Sequence, residues 1–207
     1  MFADREAAGE RLAQRLRAES IEIDVVLGVP RGGLPVADAV ARAYGVPLDV
    51  VAAKKLGAPH NSELAIGAAA ADGTVWLNRD LIERLGVEES YVEAERERAR
   101  ETAAEKEATY RSGREPPAIE GRTVAIVDDG VATGATMKAS VRSVRESDAA
   151  RVIVGVPVGP SDTIASLREE ADAVVVVEVP ASFGAIGAHY RDFGQVTDEE
   201  AMAYLGA

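Results

Sequence analysis

Cysteine is absent from the chain, which removes disulfides, thiolate nucleophiles and cysteine zinc sites together. Histidine is nearly absent: His60 and His189 are the whole supply, too few for a three-histidine metal site. No HExxH pattern and no evident Ser-His-Asp grouping occurs. Lysine is scarce as well. Of 23 basic residues only Lys54, Lys55, Lys106 and Lys138 are lysine, against 35 acids and a net charge of −12. That balance argues against a broad nucleic-acid surface. An acid-rich, lysine-poor surface suits a halophilic setting, a high-salt cytoplasm where screening removes self-repulsion. No apolar run approaches the roughly 18 residues that cross a membrane, so no membrane partner is expected. The first residues, Met1 to Leu16, are charged and read as a folding helix instead of a signal peptide, which with the missing cysteine fits a cytoplasmic protein. Two phosphate loops are missing too. There is no Gly-Lys-Ser or Gly-Lys-Thr for a P-loop, and Gly28-Val29-Pro30 breaks a dinucleotide fingerprint at its second glycine.

What is present begins with length: 207 residues predict one domain, 1–207, with a substantial core. The most informative stretch is VAIVDDGVATGAT, Val124 to Thr136. Four apolar residues, as in a buried parallel strand, run into Asp128 and Asp129. The acids thus fall at the strand end, the edge where open α/β sheets bind ligands. Gly130, Val131, Ala132, Thr133, Gly134, Ala135 and Thr136 then lead into the helical composition of MKASVRSVRE. Small residues let backbone N–H groups converge on an anion, and a helix N-terminus favours negative charge. Two carboxylates for vicinal hydroxyls beside a phosphate cradle suit a ribose 5-phosphate.

A second loop follows the first strand. An amphipathic helix over about 4–19, with Leu12 and Leu16 at i, i+4, precedes a strand from Ile23 to Leu27. That strand enters GVPRGG, in which Pro30, Arg31, Gly32 and Gly33 combine close backbone approach with a fixed positive charge. A helix ended by Gly45 follows, and Val46 to Ala53 reads as the second strand, with Lys54 and Lys55 at its end. Leu64 to Ala70 and Val75 to Leu77 read as hairpin arms, and Asn78 as the cap of a short helix ended by Gly86. Glu88 to about Tyr110 reads as a long charged helix with a thin stripe of Val92, Ala99, Ala103 and Tyr110, an exposed packing arm or a contact for a second subunit in a homodimer. Further strands are expected near residues 125, 153 and 175, with helices between, the last at about 161–170. The alternation predicts an α/β fold: a five-stranded parallel sheet with helices on both faces. Thr197 with Glu200 forms a capping box for a terminal helix.

VDDGVATGAT resembles the signature of type I phosphoribosyltransferases that binds phosphoribosyl pyrophosphate (PRPP). With GVPRGG, KLGAP and the C-terminal YRDF, the likeness extends over nearly the whole chain. The resemblance implies Mg²⁺-dependent transfer of the 5-phosphoribosyl group from PRPP to a nitrogen acceptor such as a nucleobase, with release of pyrophosphate. It gives Asp128 and Asp129 the ribose hydroxyls and indirect contact with Mg²⁺ through ribose and PRPP oxygens. It gives residues 130–136 the 5-phosphate, and residues 30–33 with Lys54 and Lys55 the pyrophosphate. It also implies an arm or insertion over about 56–118 that carries a mobile loop, for which His60, Asn61, Ser62 and Glu63 are candidates. A small hood formed with the N-terminal segment is implied over about 180–207, from which Phe183, His189 and Tyr190 would face the acceptor. The 6-oxopurine branch has an acid where this chain has Ala132, so an adenine- or orotate-like acceptor fits better. Two other functions fit the same pocket: a non-catalytic sensor of PRPP or a nucleotide, and a phosphosugar hydrolase.

Overall fold

The computed structural model describes residues 1–206; residue 207, the end of the expected hood, lies outside them. The chain runs α1 (Arg5–Ala18), β1 (Val25–Gly28), α2 (Gly33–Tyr44), β2 (Leu48–Val50), β3 (Ala53–Ala58), β4 (Asn61–Ala70), β5 (Val75–Leu77), α3 (Arg79–Leu85) and α4 (Glu89–Arg111). It continues through β6 (Thr123–Val127), α5 (Ala135–Glu146), β7 (Arg151–Val158), α6 (Ser161–Leu167), β8 (Ala173–Glu178), a 3₁₀ turn (Ile186–His189) and α7 (Asp198–Tyr204).

Five strands form the expected parallel sheet, in the order β2-β1-β6-β7-β8. Val26 stands level with Ala125, and Ala125 with Ile153. The central strands are apolar throughout because both faces are covered. On one face Leu12 and Leu16 of α1 and Val36 and Val40 of α2 meet Val26, Ala125 and Ile153. On the other, Met137, Val141 and Val144, at i, i+4, i+7 on α5, join Ile164 and Leu167 of α6 over Val124, Ile126 and Val154. Asp4 caps α1 by accepting from the Ala7 amide at 2.8 Å, and Gly45, at φ +68°, ends α2. The capping box of Thr197 and Glu200 is formed. No helix among the described residues is long and apolar enough to cross a membrane.

The structure corrects the second strand. Only residues 48–50 pair with β1. Beyond them the Val51 amide still donates to Gly28 O at 3.1 Å, but the Ala52 amide turns to Glu107 Oε1 at 2.8 Å. The chain therefore leaves the ladder, and Ala53 starts a separate antiparallel sheet, β3-β4-β5. Lys54 and Lys55 lie inside β3 and not at the end of a parallel strand.

The thin stripe on α4 is also different from an exposed arm. Val92, Ala99, Ala103 and Tyr110 are all buried, so they are not free to meet a second subunit. Val92 and Ala99 pack on Leu56, Ile66 and Ala69 of the small sheet, and Tyr110 packs on Leu34, Val50 and α7. Arg111 fixes the end of α4: its guanidinium donates to Asp49 Oδ2 at 2.9 Å, Glu107 Oε2 at 2.8 Å and Val50 O at 2.9 Å. The small sheet is thus held between α4 and α5, against the C-terminal edge of the main sheet.

The termini meet as expected for a hood. The Phe2 amide donates to His189 O at 2.8 Å, and the Arg191 and Asp192 amides return to Phe2 O and Ala3 O, each at 2.9 Å. Phe2, Ala8, Val158 and Tyr190 form the buried centre of this cap.

Candidate active site at the crevice between β1 and β6

From β1 the chain moves outward to β2, then crosses back to β6 on the other side of β1. The crevice between the C-terminal ends of β1 and β6 is therefore a topological switch point, the usual ligand edge of an open α/β sheet. Two loops leave it, residues 28–33 and 128–136.

At the end of β6 the Asp129 amide donates to Asp128 Oδ1 at 2.8 Å. Asp129 Oδ2 accepts from Arg5 Nε at 2.9 Å, while Arg5 Nη1 donates to Gly194 O at 2.7 Å. The Arg5 guanidinium also lies 3.8 Å over the Phe193 ring. Burial pushes both carboxyls above the ordinary aspartate range; the neighbouring Asp129 charge adds to this at Asp128, and Arg5 opposes it at Asp129. Tyr190 reaches the same place from the hood, its hydroxyl donating to Asp129 O at 2.5 Å. Desolvation first, and the negative charge of Asp129 second, raise the Tyr190 phenol far above its usual value, so it stays a donor.

The loop after β1 presses on this pair. A Cβ on Gly32 would fall directly against Asp129 Oδ2, and one on Gly33 would lie 2.8 Å from Val127 O and 2.9 Å from Asp128 Cα. Only glycine permits that approach. The Gly33 amide is already spent within the loop, donating to Val29 O at 3.0 Å, whereas the Gly32 amide has no acceptor among the described residues. The Pro30–Arg31 peptide is cis. Arg31 Nη1 stands 3.8 Å from Asp198 Oδ1 of α7, and Lys106 Nζ of α4 donates to Pro30 O at 3.2 Å.

The other loop ends at Gly134, whose φ of +75° turns the chain into α5. No side chain caps that helix, and among the described residues the amides from Thr133 to Met137 have no backbone acceptor. Ala132 and Thr133 are exposed, and the loop is braced from behind: Thr163 Oγ1 donates to Ala132 O at 2.6 Å and the Val131 amide to Val158 O at 2.9 Å. Open amides at a helix N-terminus can accept an anion.

Between the two loops lies a cavity of about 470 Å³ lined by Arg5, Arg31, Gly32, Lys106, Asp129 and the hood residues Phe193, Gln195 and Val196. Its lining combines the Asp129 carboxylate with the cations Arg5, Arg31 and Lys106. A family model for the phosphoribosyl transferase domain matches residues 2–72 and 60–191 of the chain. The chain belongs to the phosphoribosyl transferase family. It is 42% identical over 205 residues to a Mycobacterium tuberculosis H37Rv protein whose name gives it only provisionally as a phosphoribosyl transferase, covering 99% of this chain and 46% of that one. The chain thus spans about half the length of the curated relatives it matches. The crystal structure of TT1426 from Thermus thermophilus matches with a TM-score of 0.84 and 44% identity, over 99% of this chain and 97% of that one. A purine phosphoribosyltransferase from Pyrococcus horikoshii matches at a TM-score of 0.50 and 17% identity, over 93% and 92% of the two chains, and shares the type I fold.

The expected site residues divide. Residues 30–33 follow the C-terminal end of β1 and Asp128, Asp129 and residues 130–136 that of β6; of these, Arg31, Gly32 and Asp129 line the cavity. The two lysines of β3 do not share a target. Adjacent strand residues face opposite sides. Lys54, in phase with Leu56, faces α4, and its charge is felt by Lys106. Lys55, in phase with Ala53, belongs to the face that packs on Ala135 and Ala139 of α5. His60, Asn61, Ser62 and Glu63 sit exposed at the turn and start of the β3–β4 hairpin, with His60 at φ +65°. Phe183 and His189 stack on each other, with centroids 5.5 Å apart, and Tyr190 packs between Phe2 and Phe193. None of these three lines the cavity. Arg5, Lys106 and Gln195 do, and none belongs to a motif. Arg5 opens an ordinary amphipathic helix, and only the scarcity of lysine marks Lys106.

Proposed function

We propose that the protein transfers the 5-phosphoribosyl group of PRPP to a nitrogen nucleophile. The juxtaposition that carries this is the Asp128–Asp129 pair set between an uncapped helix N-terminus and a cationic loop. Asp128 and Asp129 accept hydrogen bonds from the ribose hydroxyls, the amides of residues 133–136 hold the 5-phosphate, and Arg31, the Gly32 amide and Lys54 face the pyrophosphate. The bond from C1 to the pyrophosphate oxygen breaks as the C1–N bond forms on the opposite side, and the pyrophosphate leaves with the electron pair. Cations fixed beside the leaving group stabilise charge that grows in the transition state. Two adjacent carboxylates on a pyrophosphate-binding crevice are a donor set suited to Mg²⁺, which takes oxygen ligands and keeps waters. No cluster of three potential metal ligands exists among the described residues, so the ion would sit mainly on substrate oxygens, with Asp128 and Asp129 acting on it through the ribose and PRPP oxygens they hold. When bound, it would neutralise pyrophosphate charge.

The test is calorimetric titration with Mg-PRPP followed by a pyrophosphate-release assay over free bases. Binding with release for one base is expected and would name the acceptor. Binding without release for any base would instead support a sensor, and release without a base would support a hydrolase. Failure of the folded protein to bind would remove the proposal.

The acidic surface leads to a further expectation. With 35 acids against 23 basic residues, self-repulsion opposes folding at low ionic strength. The melting temperature should therefore rise as KCl is increased from tens of millimolar to molar, as a high-salt cytoplasm requires. A flat or falling melting curve would argue for an ordinary acidic protein.

A further inference from the structure

Helix α4 carries five basic residues, and four of them are paired. Arg96, Arg98 and Arg100 bridge to Glu93, Glu95 and Glu97 one turn away, and Arg111 bridges to Asp49 and Glu107. Among the described residues Lys106 has no carboxylate within 4.0 Å. It is partly buried, and Arg31 and Lys54 are near enough to disfavour its charge. One of its three donors goes to Pro30 O, at 3.2 Å, and its side chain lines the cavity beside Arg31, Gly32 and Asp129. Two cations from separate elements therefore line the cavity together, Arg31 from the loop after β1 and Lys106 from α4, with Lys54 of β3 adding to their charge and Asp198 and Asp128 offsetting it. Asp198 stands 3.8 Å from Arg31, but among the described residues Lys106 has no carboxylate of its own within 4.0 Å, so two of its donors are left facing the cavity for an anion.

We infer that Lys106 is a pyrophosphate-binding residue, so that helix α4 of the arm supplies part of the site and is more than packing. This rests on the phosphoribosyl-transfer proposal and goes beyond it, because no motif marks Lys106. Arg111 and Tyr110, one turn further along, keep the lysine in place. Arg111 ties α4 to Asp49 of β2, and the Tyr110 hydroxyl meets Asp198 of α7, the carboxylate that also stands by Arg31. Lys106 Nζ lies over the Tyr110 ring, 6.0 Å from its centroid. Pyrophosphate held by Lys106 would accept two of its donors while the third remains on Pro30 O.

The experiment compares wild type with Lys106→Met, which keeps the stem, with Lys106→Gln, and with Lys106→Arg, which keeps the charge. Each is titrated with Mg-PRPP, Mg-pyrophosphate and ribose 5-phosphate, and each is melted to confirm folding. Loss of one charge-assisted hydrogen bond predicts about ten- to a hundredfold weaker binding of Mg-PRPP and Mg-pyrophosphate by the Met and Gln variants. Ribose 5-phosphate, which lacks the pyrophosphate, should bind all four proteins equally, and Lys106→Arg should recover much of the loss. If wild type binds both pyrophosphate ligands and the Met or Gln variant binds them as well as wild type, Lys106 has no such role, while phosphoribosyl transfer stands. A folded variant that loses ribose 5-phosphate to the same degree would make the lysine structural and overturn the assignment. Wild type that binds none of the three ligands would overturn the functional proposal and this one with it.

Discussion

Asp128→Asn is expected to weaken Mg-PRPP binding while making the free protein more stable, and the double variant with Asp129→Asn to abolish binding. Each carboxylate is proposed to accept a charge-assisted hydrogen bond worth about 1.5–3 kcal/mol, so removing both charges should cost about a hundredfold or more in affinity. The stability effect has a different origin. Burial and the charge of Asp129 raise the Asp128 carboxyl above its ordinary value. A group whose folded pKa lies above its unfolded one favours folding only while it is protonated. That contribution is present below about pH 4, the unfolded aspartate value, and is lost as pH rises through the folded value. An amide in place of the Asp128 carboxyl has no charge to bury, and its oxygen can still accept from the Asp129 amide, which now meets Asp128 Oδ1 at 2.8 Å. The melting-temperature advantage of Asp128→Asn should therefore grow as pH rises from about 4 and level off once pH exceeds the folded value. Asp129→Asn should follow the same trend with a smaller gain, because burial raises that carboxyl too but Arg5 opposes the shift and loses its partner in the variant. Thermal melts of both single variants from acid to neutral pH check this. Equal loss of stability in both would mean that the pair serves the fold and not a ligand.

The same residues explain what could be read from the chain. The strand–acid–loop unit is local: strand end, carboxylates, open turn and helix start follow one another within thirteen residues, so local chemistry specifies them. The five-strand count follows from apolar runs that can be buried only on two sides. What failed to appear came from contacts distant in sequence. The second strand was expected to run from residue 46 to 53, since apolar continuity shows nothing of where backbone pairing stops. It stops because the Ala52 amide finds Glu107, 55 residues away. The stripe of α4 is thin because two of its four residues, Ala99 and Ala103, are themselves small, so weak amphipathicity is compatible with full burial. Arg5 and Lys106 reach the cavity from helices whose local sequence looks like solvated surface. Arg5 meets Asp129 across 124 positions and Lys106 meets Pro30 across 76, distances over which no spacing rule operates. The aromatic cluster of the hood was visible as a cluster, but which ring faces the cavity depends on the 3₁₀ turn at Ile186–His189, and that turn leaves the place to Phe193.

Adding one methyl group to the loop after β1 should have the second large effect, and its consequences should differ between neighbouring positions. At Gly33 the new Cβ would meet backbone on the opposite strand, Val127 O at 2.8 Å and Asp128 Cα at 2.9 Å. Neither can rotate away, so either the loop lifts or the end of β6 moves. Overpacking of this kind costs about 1–3 kcal/mol, and the two halves of the crevice would be pushed apart. Gly33→Ala should thus lower the melting temperature by several degrees and, because the acids and the cationic loop no longer oppose each other at the right distance, lose about a hundredfold in Mg-PRPP affinity. At Gly32 the obstacle is a side chain, Asp129 Oδ2, which can swing aside if it gives up Arg5. Gly32→Ala should therefore leave the melting temperature closer to wild type and still impair binding, since the displaced carboxylate is one of the two proposed to hold ribose. Melting curves and Mg-PRPP titrations of the two variants separate the cases. If Gly33→Ala bound as tightly as wild type, the close approach of the two loops would be a packing detail, and the crevice between β1 and β6 would not be where the substrate is gripped.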